Sequence, residues 1–137
     1  MNDEELIRFA IMARDNAYAP YSGYFVGAAL LTEEGNVYTG CNIENASYTP
    51  TICAERTAIY KAISENEHRF IKIAIAGSPK GDIIQYAFPC GVCRQVMMEF
   101  MNPESFQVLV AISENDFKKY TLKELLPEGF GPNNLNI

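Results

Sequence analysis

Pro89-Cys90-Gly91-Val92-Cys93 sets two thiols three residues apart, the spacing that lets two thiolates close on one metal ion. Cys53, in Cys53-Ala54-Glu55, can supply a third. Three protein ligands leave a tetrahedral zinc with one open position, where water can bind and be activated; a fourth thiolate would make the site structural instead. Glu55, two residues from a ligand, is a ready proton carrier. Three thiolates give zinc a formal charge of −1, and Arg56, next in the chain, is the candidate to offset it by bonding one or two ligand sulfurs.

For these groups to meet, both cysteine motifs should lie at helix N-termini, where free N–H groups and the helix dipole favour thiolates. The spacing predicts a helix from about Cys53 to Glu65, through Ala54, Ala58, Ile59, Ala62 and Ile63, and another over Gly91–Met101. Cys53 and Glu55 would diverge in mid-helix, so Cys53 is placed at the helix entry. Upstream, Asn2 caps a helix carrying Leu6, Phe9, Ala10, Ala13 and Ala17, which Pro20 stops. Phe25–Thr32 and Val37–Ile43 read as a hairpin about Glu34-Gly35-Asn36. Phe70–Ala76 and Phe106–Ser113 read as strands, Gly77–Asp82 as a loop, Ile83–Phe88 as a further short strand, and Leu122–Leu126 as a short helix before Pro127. The order α-β-β-α-β-α-β-α predicts an α/β fold, a three-layer α/β/α sandwich around a central mixed sheet.

A chain of 137 residues, 48% hydrophobic and without repeat or linker, is expected to form a single domain over 1–137. No stretch is long enough to cross a bilayer, and Met1-Asn2-Asp3-Glu4-Glu5 is acidic where a signal peptide is basic, so a cytoplasmic protein is expected. Disulfides are disfavoured there, which leaves the four cysteines as ligands, reactive thiols or core filler. The net charge of −6 argues against a polynucleotide partner: Lys118, Lys119 and Lys123 are interrupted by Glu114, Asp116 and Glu124. A small-molecule substrate is expected, with no nucleic acid and no membrane.

Beyond the zinc motifs, Tyr18-Ala19-Pro20-Tyr21-Ser22, Phe25-Val26-Gly27-Ala28-Ala29, Gly40-Cys41-Asn42-Ile43-Glu44-Asn45-Ala46-Ser47-Tyr48, Cys53-Ala54-Glu55-Arg56, Pro89-Cys90-Gly91-Val92-Cys93-Arg94-Gln95 and Leu125-Leu126-Pro127 resemble the small homotetrameric cytidine deaminases along almost the whole chain. The resemblance implies zinc-dependent hydrolysis of cytidine and deoxycytidine to uridine and deoxyuridine, with release of ammonia, in pyrimidine salvage. Water adds to C4 of the ring while Glu55 carries a proton to N3 and then assists departure of ammonia. The resemblance also implies that Asn42 and Glu44 bond the ribose hydroxyls, that Phe25 packs against the nucleoside, and that the backbone around Ala54 reads the ring. Ala46 and Tyr48 would meet an active site across a subunit boundary, and Phe130 would stack on a pyrimidine held by a neighbour. One departure is Phe88, where family members often carry Ser; a change in loop packing rather than chemistry is expected from it.

Several plainer readings stand beside these. Cys90 and Cys93 alone would suit a redox dithiol, and Cys41 could complete a structural four-thiolate site or simply fill the core. Asn42 and Asn45 suit turns, Phe25 suits the core, Tyr48 suits any interface, and His68 between Glu67 and Arg69 reads as solvated. The alternatives for function are a deaminase of another aminopyrimidine nucleoside analogue of the blasticidin S kind, a polynucleotide-editing deaminase, and a non-catalytic zinc-stabilised binding module.

Overall fold

A computed structural model describes residues 1–137. Helix α1 (Asp3–Arg14) begins at Asn2, whose side chain accepts from the Glu5 amide at 2.8 Å while Glu5 reaches back to the Asn2 amide. It ends before Ala17 because the amides of Asp15, Asn16 and Ala17 turn to the carbonyls of Met12, Ala13 and Arg14, tightening the chain out of α-helical register. Strands β1 (Tyr24–Thr32) and β2 (Val37–Cys41) form the expected hairpin, and Ile43 continues only as single bridges to Tyr18 and Ile52. Then come α2 (Ala54–Ser64), β3 (Phe70–Pro79), α3 (Gly91–Phe100), β4 (Gln107–Ser113), β5 (Asp116–Thr121) and α4 (Leu122–Leu125), with a short 3-10 turn at Pro132–Leu135.

The strand order is β2-β1-β3-β4-β5, parallel only between β3 and β4 and antiparallel elsewhere, so the sheet is mixed. Alternation along the three central strands builds two cores. Ala29, Leu31, Ala74, Leu109 and Ala111 face α1 through Leu6, Ile7 and Ala10. Ala28, Leu30, Ile73, Ile75, Val108 and Val110 face α2 and α3 through Ala54, Ala58, Ile59, Cys93 and Met97. The three-layer α/β/α expectation therefore stands. At Gly40 a side-chain carbon would lie 2.5 Å from the Ala54 carbonyl oxygen and 2.6 Å from the Ala58 nitrogen; only glycine lets the start of α2 lie directly on β2.

Two parts of the sequence reading need correction. Residues 77–79 are not loop: β3 runs to Pro79 because β1, starting at Tyr24, pairs with it to the end. Residues 83–88 form no strand, since both edges of β3 are already taken by β1 and β4 and the segment crosses the end of the sheet. One element was not anticipated. β5 pairs with β4 across a turn at Glu114 and Asn115, and its lysines, read as a basic cluster, mark a charged edge strand.

Candidate metal centre and substrate cleft

Cys53 is the N-cap of α2 in extended conformation (φ −78°, ψ 156°), and Cys90 is the extended N-cap of α3 (φ −68°, ψ 168°). The two helix starts thus converge, and Cys93, in the first turn of α3, completes a cluster whose three sulfurs all lie within 4.8 Å of one another. The irregular entry at Cys53 lets its thiol join that cluster while Glu55, two residues on, faces the same cleft. Cys41 is outside the cluster, half-buried in β2, so the set is three thiols rather than four.

The donor set suits zinc. A Zn–S length of about 2.3 Å separates two tetrahedrally placed sulfurs by about 3.8 Å, and Cys53 Sγ stands 3.7 Å from Cys90 Sγ. The Cys93 amide approaches Cys90 Sγ at 3.5 Å, a helix N-terminus donating to a ligand sulfur. Arg56 Nη2 donates to Cys53 Sγ at 3.5 Å, and its Nε is buried without a partner of its own. The interaction of Cys53 with the neighbouring Cys93 thiol, helped by Arg56, draws the Cys53 pKa down, whereas the same interaction and burial push Cys93 up. Arg56 is held charged: the thiols raise it against the opposing effect of its burial. Glu55 is 4% exposed, and burial above all pushes its carboxyl up to about 7.

The sulfurs of Cys53 and Cys90 open on a cleft of about 380 Å³, floored by Ala54, Glu55 and Ile75 and reaching Asn42 and Glu44. Asn42 is buried and bridges β1: its Nδ2 donates to the Tyr24 carbonyl at 2.8 Å and its Oδ1 accepts from the Val26 amide at 2.9 Å. Glu44 accepts from the Tyr21 and Ser22 amides at 3.0 and 3.1 Å and from the Ser22 hydroxyl, and that hydroxyl leads the effects lowering its pKa. Both polar groups are therefore held rigidly at the cleft.

Phe25 does not reach the cleft. It lies beside Arg14 and Lys80 on the α1 side, and Tyr24 and Val26 line the cleft instead. Alternation along β1 explains this, because Ala28 and Leu30, on the same face as Tyr24 and Val26, look toward α2. That parity was available in the sequence and would have selected Tyr24. Ala46, Tyr48 and Phe130 also stand outside the cleft of their own chain: Tyr48 is 72% exposed with its ring edge-on to Tyr21, and Phe130 is 57% exposed. Tyr86, Ala87 and Phe88 form a wall that the motifs did not signal, with the Phe88 ring packed at a tilt against Tyr120, their centroids 5.7 Å apart. His68 is exposed and remote from the sulfurs.

A sequence model described as the cytidine and deoxycytidylate deaminase zinc-binding region matches residues 1–109. The chain is 45% identical over 136 residues to a cytidine deaminase of Halalkalibacterium halodurans, covering 99% of each protein. It is 43% identical over 136 residues to one from Sporosarcina psychrophila, covering 99% of this chain and 96% of the relative. Among solved structures, the cytidine deaminase of Burkholderia pseudomallei superposes with a TM-score of 0.85 at 42% identity, over 95% of this chain and all of that one.

Proposed function

Since the chain belongs to the cytidine and deoxycytidylate deaminase family, we propose that it hydrolyses cytidine and deoxycytidine to uridine and deoxyuridine, releasing ammonia. The observation that carries this reading is the convergence of three thiols at two helix starts beside a buried carboxylate, all at one cleft. Cys53, Cys90 and Cys93 would hold zinc, which would supply Lewis-acid activation of water.

Glu55 takes the proton released as water adds to C4 and delivers it to ring N3. It then carries the proton of the new C4 hydroxyl to the exocyclic nitrogen, and the C4–N bond breaks to release ammonia as the C4 carbonyl forms. Burial suits Glu55 to this shuttling, because a carboxyl out of bulk water exchanges protons with the substrate instead of the solvent. Arg56 offsets the excess negative charge of the sulfurs. Glu44 and Asn42, already fixed by the backbone around them, receive the ribose hydroxyls, and the backbone at Ala54 meets the ring. Tyr24, rather than Phe25, packs against the nucleoside.

Residues 1–137 act as one domain in a homotetramer, with sites at subunit interfaces. Support comes from Ala46, Tyr48 and Phe130, which are free of their own cleft and available to a neighbour's. The cytoplasm is the proposed compartment: all four cysteines are free thiols, and no helix is long and apolar enough to cross a membrane. Pyrimidine salvage is the corresponding role. Metal dependence tests the reading. Chelation should abolish cytidine turnover and one zinc per chain should restore it; activity that survives complete zinc removal would refute it.

A further inference from the structure

The cleft wall formed by Tyr86, Ala87 and Phe88 has no backbone ladder to hold it, because residues 83–88 belong to no strand or helix. Side chains hold it instead, from two directions. On one side Gln85 Nε2 donates to the Tyr24 hydroxyl at 2.7 Å, tying the segment to the start of β1. On the other, the Tyr86 hydroxyl donates to Asp116 Oδ1 at 2.5 Å, Lys118 Nζ lies 4.5 Å from the Tyr86 ring centroid, and the Phe88 ring packs at a tilt against Tyr120. Asp116, Lys118 and Tyr120 alternate along β5 and so share one face, whereas Phe117 and Lys119 serve the α1 side. Between the ties, Ala87 lies where a side chain on Gly77 would fall, 3.2 Å from that imagined carbon.

We infer that the edge strand β5 and the Tyr24–Gln85 bond brace this wall for nucleoside binding, making Asp116 and Gln85 positioning residues of a site neither of them lines. The inference rests on the deaminase reading of the cleft. A fixed wall keeps Tyr86 and Phe88 against a bound nucleoside without ordering them at each encounter, so loosening it should weaken binding while sparing the chemical step. Losing one such hydrogen bond corresponds to about a three- to tenfold change.

The test uses zinc-loaded full-length protein, with cytidine kinetics and limited chymotrypsin cleavage measured side by side. D116A and Q85A should each raise KM about three- to tenfold with kcat held within about twofold. Cleavage after Tyr86 should quicken while sites in β1 and β3 stay protected. D116N, whose carboxamide oxygen still accepts from Tyr86, should restore wild-type KM and cleavage. The inference is overturned if both alanine variants keep wild-type KM and cleavage, if cleavage quickens throughout the sheet, or if D116N is as impaired as D116A. Absence of cytidine turnover by the unaltered protein would instead count against the deaminase reading, and cleavage at Tyr86 would still decide whether the brace exists.

Discussion

Three thiolates bring three negative charges to a divalent ion, and the surroundings of the cluster answer that excess. Arg56 donates to Cys53 Sγ, the Cys93 amide approaches Cys90 Sγ, and both α2 and α3 point their positive ends at the sulfurs. R56A should therefore keep stoichiometric zinc yet lower kcat about 10- to 100-fold, read by metal analysis alongside steady-state rates. Unchanged turnover would remove Arg56 from this role. The clustering of the three thiols beside Glu55 was legible in the sequence because cysteine spacing and a carboxylate two residues from a cysteine are local patterns. Which of Tyr24 and Phe25 lines the cleft was not taken from the sequence, since that choice depends on strand parity. Tyr86 and Phe88 were illegible for a different reason: they reach the cleft only through long-range contacts with β5.

Helix starts carry the ligands, so whatever positions α2 and α3 positions the metal. Gly40 allows the start of α2 to rest on β2, and the Thr57 hydroxyl fastens the same turn to the Cys41 carbonyl at 3.0 Å. G40A should push α2 outward, costing roughly 1–3 kcal/mol of stability and weakening zinc retention; chemical denaturation and competition with a chromogenic chelator would measure both. A variant with wild-type stability and zinc affinity would show that the close approach at Gly40 is not what sets the cluster. Helix α1 was readable from its Asn2 cap and periodicity, and α2 from its periodicity. β5 was missed because its lysines mask its alternation and its pairing partner is fixed only by the fold. The strand expected at residues 83–88 fails because β3, the strand it follows, is already paired on both sides by β1 and β4.

Across the whole molecule, the acidic start of α1 is stitched to two strands: Asp3 pairs with Lys72 of β3 at 2.5 Å and Lys119 of β5 at 2.7 Å. Burial alone would raise the Asp3 carboxyl, but the two lysines outweigh it and hold it below the ordinary aspartate range. Its folded pKa is thus depressed, so its stabilisation is present above the unfolded value of about 4 and fades as pH falls through the lower folded value. D3N should melt below wild type at neutral pH, and the gap should close in strong acid; a gap independent of pH would contradict the ion-pair account. Tyr48 and Phe130, exposed on the isolated chain, should become protected in a tetramer detectable by light scattering, and a monomer active at the wild-type rate would refute shared sites. The most direct test of the central claim is product stoichiometry from cytidine with zinc-loaded protein and its E55Q variant. The account predicts one uridine and one ammonia per cytidine consumed, falling about 10²- to 10⁴-fold in E55Q at full zinc occupancy. Cytidine left untouched by zinc-replete, folded protein, or E55Q turning over at the wild-type rate, would contradict it.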